Sequence, residues 1–473
     1  MQQMIIALIS IGIILLGFGF YFLTRKRETF VLTDEFKEII NLLETTNNSL
    51  FISGKAGTGK SSLLKYFTSH TKKKYIILAP TGIAALNVRG QTINSFFKFP
   101  PRIIDPQTLI PEFARNALFQ NLQMIIIDEI SMVNSNLLDC IDTSLRLNRN
   151  NTLPFGGVQM VFIGDLFQLP PVVGKGLQQY FDNTYGGEYF FYCPALKNGL
   201  QYKKRELTRI FRQKDEEFKA TLNRIRVDET TFEDFVKLNS RHISNIGKNI
   251  EANIFLTTTN KIAKRINKEN IEKINTEEYI FKAYMEGKIK TDFEKEYSRL
   301  INHEITEDEF NDIIENKFPT NILLKLRINC QVMMIKNDNN KRWVNGSLGI
   351  VTKLTEDRIW VKLETGTHEI QKEDWEDVSY VYDLNAKKVI EVIKGKLRQF
   401  PLKTAWAITI HKSQGKTFEK ITIDIGGGAF SPGQTYVALS RCKTLNGVSL
   451  NKEIKQSDII VDKRIIAYYD NLK

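Results

Sequence analysis

Short apolar runs alternate with stretches of helical period along most of this chain. Residues 50–53, 75–79, 124–128 and 158–164 are short, mostly apolar runs, too short for helices, and they predict buried strands. Between the first two, SSLLKYFTSH places Leu63, Leu64 and Phe67 on one helical face. Strand–helix–strand alternation of this kind predicts an α/β fold, a parallel sheet with helices on both faces. A second set of runs at 254–259, 421–425 and 448–450 predicts a second sheet. Residues 279–398, which interrupt that set, have another texture. Charge-rich helical stretches and the turn NDNNKR precede short alternating strands, IWVKLE and HEIQKE, which predicts a small β-rich insertion. The mixed charges of residues 261–315 read as solvated helix faces. A length of 473 residues, at about 150 per domain, agrees with three folding units.

The N-terminus breaks this pattern. Residues 4–23, MIIALISIGIILLGFGFYFL, carry no charge. As a helix rising about 1.5 Å per residue, they cover the roughly 30 Å hydrocarbon core of a bilayer. Arg25, Lys26 and Arg27 follow at once, whereas the preceding MQQM is uncharged. The positive-inside rule then orients a single-pass anchor over residues 1–24, with all later residues in the cytoplasm. A cleaved signal peptide would want a basic start, a shorter apolar core and an A-x-A-like site, which the segment lacks.

Composition narrows the class. Hydrophobic residues make up 42% of the chain, enough for true cores, so wholesale disorder is excluded. Cys140, Cys193, Cys330 and Cys442 are the only cysteines, and their wide separation excludes CxxC metal pairs and a disulfide scaffold. Lys plus Arg exceed Asp plus Glu by 66 to 54, a net charge of +12, which points to a polyanionic partner.

The clearest chemistry is GKAGTGKS, Gly54, Lys55, Ala56, Gly57, Thr58, Gly59, Lys60 and Ser61, between the strand LFIS and a predicted helix. Glycines let the backbone wrap a phosphate chain, so that its N–H groups and the helix N-terminus face the anion. Lys60 is placed for the β- and γ-phosphates of a bound nucleotide, and the Ser61 hydroxyl for Mg²⁺. MIIIDE supplies the complementary carboxylates, Asp128 for the metal and Glu129 as general base. GDLFQLPPV, following VQMVFI, offers Gln168 as a sensor of the γ-phosphate.

With these motifs in hand, the chain resembles the Pif/RecD-like group of superfamily 1 DNA helicases. The likeness runs through APTGIAA, GQTINSFF, IIIDEISMV, GDLFQLPPV, LTRIFRQ, LTTTN, WVNGSLGIV, ITIHKSQGKT and YVALSRC, in that order. It implies two RecA-like P-loop domains, 25–205 and 206–278 with 399–473. It also implies an SH3-like module at 279–398 and a small strand-separating wedge near 98–118. Arg212 and Arg441 would be arginine fingers on the second lobe, and Gly415 would join the ATP site. Thr81, Asn94, Phe96, Thr409, His411 and Lys412 would contact single-stranded DNA. The implied activity is 5′-to-3′ translocation on single-stranded DNA with unwinding of duplex or forked DNA, by a monomeric motor. Two positions depart from the family's pattern. Phe36 stands where the family carries an adenine-reading glutamine, and Asn94 where a histidine is common.

Other classes are weaker. A GTPase would want N-K-x-D, and NKIA at Asn260 lacks the aspartate. A membrane-anchored, nucleotide-switched scaffold would not need Glu129, Arg212 and Arg441 together, because a switch does not require a full hydrolytic set.

Overall fold

The computed structural model describes residues 31–470, apart from 101, 175, 247–253, 319, 339, 341 and 384–386. The apolar segment 4–23 lies outside the described residues, and among these no helix is long and apolar enough to cross a membrane.

The first lobe is built on β1 (Ser49–Gly54), β2 (Tyr75–Ala79), β3 (Gln91–Thr92), β4 (Met124–Ile127), β5 (Gln159–Gly164) and β6 (Tyr202–Leu207). They form one parallel sheet in the order β3-β2-β4-β5-β1-β6. Because side chains alternate along a strand, each run feeds two cores. Phe51, Leu78, Ile125, Ile127 and Phe162 enter one face. Leu50, Ile52, Ile126, Val161 and Ile163 enter the other, where they meet Leu63, Leu64 and Phe67 of helix Lys60–His70. Coverage on both faces explains why these strands read as mostly apolar runs. Strand β6, YKKREL, has no such run: it is an edge strand with only Leu207 buried.

The second sheet is also parallel, ordered Ala407–Thr409, Ile254–Thr257, Ile421–Asp424 and Val448–Leu450. Phe218, Leu222 and Ile225 from helix Glu216–Val227, and Leu238 from Phe232–Asn239, pack into its core.

The inserted module has its own core around Val332, Met334, Val351, Val361 and Leu402. Its five-stranded antiparallel sheet runs in the order Gly366–Ile370, Ile359–Leu363, Leu348–Leu354, Gln331–Met334 and Leu402–Thr404. The last strand pairs back on Gln331–Met334, so the module ends beyond the expected residue 398. A long hairpin, Glu373–Asp383 with Lys388–Gln399, reaches the first lobe. There Tyr380 is buried in the first core and its hydroxyl accepts from the Ile77 N–H at 3.4 Å.

One expectation about domains needs correction. The C-terminal helix Lys463–Asp470 packs on the first lobe, not on the second as the resemblance implies for residues 399–473. Ile465 and Tyr469 enter the first core, and the Tyr202 and Tyr468 hydroxyls meet at 2.6 Å. Arg464 pairs with Glu188 at 2.7 Å. Half-apolar helix sequence says that a face is buried, not which lobe buries it.

Candidate nucleotide cleft and nucleic-acid interface

Strand β1 delivers the chain into a loop that closes on helix Lys60–His70. Gly57 and Gly59 both adopt left-handed backbone, φ 84° and 86°, which residues with a Cβ rarely tolerate. At Gly57 space is as strict as conformation: a Cβ would lie 2.5 Å from the Cβ of Arg212. Lys60 Nζ donates to the Gly54 and Lys55 carbonyls at 2.6 and 3.1 Å, across the mouth of the loop. Burial pushes its ammonium below the usual range, while the carboxylates of Asp165, Glu129 and Asp128 oppose that fall. Ser61 is exposed on the first turn of the helix.

Asp128 and Glu129 follow β4. Glu129 sits at φ 52°, a strained backbone for a residue with a side chain, of the kind held at functional sites. Burial raises both carboxyl groups above the ordinary carboxylate range, and for Asp128 the neighbouring Glu129 adds to the rise. Lys60 and then Arg441 pull Glu129 back down. A glycine-lined cradle, a lysine, an exposed hydroxyl and two adjacent acids, Asp128 buried and Glu129 half-buried, fit a triphosphate with Mg²⁺, whose preference is for hard oxygen ligands.

The opposite wall comes from helix Gln434–Leu439 and the turn after it. Arg441 is 1% exposed, held by Val437 O at 3.0 Å and Ser440 Oγ at 2.8 Å. Burial lowers its pKa, and the Glu129 charge acts against that. Arg212 donates to Ser440 O at 3.1 Å, and burial beside Arg441 pushes it down to about 9. Arg212 is not on the second lobe, as expected, but on the connection between lobes. The Phe211 N–H donates to Gly57 O at 2.8 Å, so the Arg212 backbone lies against the P-loop and only its guanidinium reaches across.

Four residues absent from the expected site complete it. Tyr436 Oη accepts from the Ala56 N–H at 3.0 Å and donates to Asp165 Oδ2 at 3.3 Å. Asp165, fully buried, also pairs with Arg226 at 3.1 Å and accepts from Gln168 Nε2 at 3.3 Å. Gln414 Nε2 donates to Glu129 Oε2 at 3.0 Å and to Gln168 Oε1 at 3.4 Å. Three of these stand inside motifs read from the sequence, GDLFQLPPV, ITIHKSQGKT and YVALSRC; Arg226 has no local signal. Gly415 follows Gln414 in left-handed backbone, φ 77°, and a Cβ there would meet Asn87 Nδ2 at 3.8 Å.

The strand candidates lie at the C-terminal ends of strands, where open α/β sheets bind ligands. Thr81 is exposed after β2 and accepts from the Ala84 N–H. Asn94, half-buried, donates to the Phe99 and Pro100 carbonyls at 3.3 Å each. Thr409 accepts from the Lys412 N–H at 3.3 Å, with His411 half-buried beside it; burial lowers the His411 pKa. Phe96 must be withdrawn from this set. Its ring is wholly buried, with centroids 4.8 Å from Phe97 and 5.8 Å from Phe119, and the Arg115 guanidinium is 4.4 Å above it. A ring without an exposed face cannot stack on a base.

The PIF1-like helicase family model matches residues 31–234, and the model for the DNA helicase Pif1 2B domain matches 309–354. A Bacteroides sp Pif1 structure in complex with ADP-AlF4 is 35% identical and aligns with a TM-score of 0.82. The match covers 93% of this chain and 97% of that one. The chain belongs to the Pif1-like helicase family. Another structure of the Bacteroides protein, bound to ssDNA, aligns at 0.65 with 36% identity, over 93% of this chain and 97% of that one. The ATP-dependent DNA helicase Pif1 of Bdellovibrio bacteriovorus is 29% identical, covering 93% of this chain and 91% of its own length. The PIF1 helicase of Emericella nidulans is 27% identical over 92% of this chain, which spans 62% of that longer protein. The 2B match places the family's domain within the inserted module described above.

Proposed function

We propose that this Pif1-like chain is an ATP-dependent DNA helicase, a motor that moves 5′ to 3′ on single-stranded DNA and unwinds duplex or forked DNA. One observation carries the reading: Lys60, Glu129, Arg212 and Arg441 converge on one cleft from opposite sides. Phosphoryl transfer needs positioning and charge neutralisation above all, and this set supplies both. Ser61 and Asp128 would hold Mg²⁺, which would supply charge neutralisation at the phosphate chain. Lys60 leaves its loop carbonyls to hold the phosphates. Glu129 takes the proton of the attacking water, its carboxylate oriented by Gln414. Arg212 and Arg441 face the charge that develops on the transferred group, and Gln168 follows the γ-phosphate.

Thr81 and Asn94 grip the strand from the first lobe, and Thr409, His411 and Lys412 from the second. Closure of the lobes on ATP and their release after hydrolysis convert into steps if the two grips alternate. The inserted five-stranded sheet is an SH3-like barrel, and residues 98–118 form the wedge. Residues 4–23 anchor the motor, acting as a single chain, to a bilayer with its lobes on the cytoplasmic side.

The test is unwinding of a tailed duplex by the full chain, with 5′ and 3′ overhangs compared. ATP-dependent opening of the 5′-tailed substrate alone is expected. ATP binding without DNA-stimulated hydrolysis would favour a nucleotide-switched scaffold. Retention of the full chain on membranes through carbonate and high-salt washes tests the anchor.

A further inference from the structure

Glu129 receives its side-chain hydrogen bond from the other lobe. The donor, Gln414, lies in the loop after strand Ala407–Thr409, the same loop that carries Thr409, His411 and Lys412. That loop is internally locked. The Lys412 N–H donates to Thr409 Oγ1 at 3.3 Å, Ser413 Oγ donates to Ile410 O at 2.7 Å, and the Gln414 N–H donates to His411 O at 3.2 Å. Further along, Lys416 Nζ donates to Asn345 Oδ1 of the inserted module at 2.8 Å. A shift at residues 409–412 therefore carries Gln414 with it, since the turn between them has little freedom to absorb it.

The Gln414 amide is also shared. It lies within reach of both Glu129 and Gln168, so one donor spans the two first-lobe groups that face the reacting phosphate. Glu129 stands in strained left-handed backbone, and a carboxylate so placed profits from a partner that fixes its direction.

We propose that Gln414 is a positioning residue: engagement of single-stranded DNA by residues 409–412 sets the Gln414 amide, and the amide aims Glu129 for hydrolysis. DNA stimulation of turnover would thus pass through a single hydrogen bond between lobes. The inference rests on the ATPase reading above and adds how that site is regulated.

The experiment uses the full chain with Gln414→Met, which keeps volume and removes the donor, and Gln414→Glu, which keeps size but faces Glu129 with an acceptor. Hydrolysis is followed with and without oligo(dT), together with oligo(dT) affinity by anisotropy and thermal unfolding. Both variants are expected to keep KM for ATP and oligo(dT) affinity near wild type. Both should lose the DNA-stimulated part of kcat by roughly ten- to a hundredfold, the scale of a hydrogen bond to a charged group. A merely structural role would lower the unfolding temperature or weaken oligo(dT) binding in step with turnover, and either result overturns the proposal. So does wild-type stimulation in either folded variant. Absence of DNA-stimulated hydrolysis in the wild-type chain would instead remove the ATPase reading and this inference with it.

Discussion

The Tyr436 hydroxyl, on the second lobe, accepts a hydrogen bond from the Ala56 N–H of the P-loop at 3.0 Å and donates one to Asp165. A backbone donor of the phosphate cradle is thereby satisfied from across the cleft, and the hydroxyl is wholly enclosed by the two lobes. The Asp165 charge that accepts from Tyr436 is shared with Arg226, so three residues from two lobes meet at one carboxylate.

Tyr436→Phe keeps the ring and removes both bonds. It should weaken lobe closure on nucleotide by about 1–3 kcal/mol, as for a buried polar group left unpaired. Steady-state kinetics should then show a higher KM for ATP, by roughly tenfold, in a chain whose unfolding temperature is little changed. An unaltered KM would mean that this contact does not take part in closure.

Phe96 is a core residue in this structure, enclosed by Phe97, Phe119, Tyr380 and Arg115. Phe96→Ala should cost about 3–5 kcal/mol of stability, the usual range for emptying such a site. Urea unfolding would report it. A direct role in stacking bases would appear as lost oligo(dT) affinity at undiminished stability, the opposite result.

Lys416 is buried, and that burial, with Lys403 adding to it, pushes its pKa down to about 7 from 10.5. Between these values the unfolded chain binds the proton that the folded chain has released. Stability contributed by this group therefore rises with pH from about 7 towards 10.5 and is lower below 7, where the folded state must hold the charge. The slope cannot exceed about 1.4 kcal/mol per pH unit for one proton. Lys416→Met should remove this dependence, seen as the difference between the two proteins' unfolding free energies across pH 7–10. Parallel curves would contradict it.

The sequence made the phosphate loop and its acids legible because their chemistry is local: eight consecutive residues between a strand and a helix, and two acids at a strand end. Most buried strands of both sheets were legible for a similar reason, since coverage on both faces leaves an apolar run; the three-residue strand Ala407–Thr409 was too short to stand out. Contacts across the cleft left no such trace. Gln414 and Glu129 are 285 residues apart, and Ala56 and Tyr436 are 380 apart. Nothing local distinguishes a glutamine that points across a cleft at a distant carboxylate from one that points at solvent. Phe96 misled because an aromatic in a strand-contact motif and an aromatic in a core have the same pattern. Strand β6 was missed because an edge strand can be charged, and the C-terminal helix because amphipathicity does not name its partner.

Turnover of Arg441→Ala at saturating ATP and single-stranded DNA tests the central claim most directly, that the second lobe completes the hydrolytic site. This variant should bind ATP, by titration with a fluorescent analogue, and hydrolyse it about 10³-fold or more slowly than wild type, the effect of losing an arginine finger. Turnover within tenfold of wild type would contradict it.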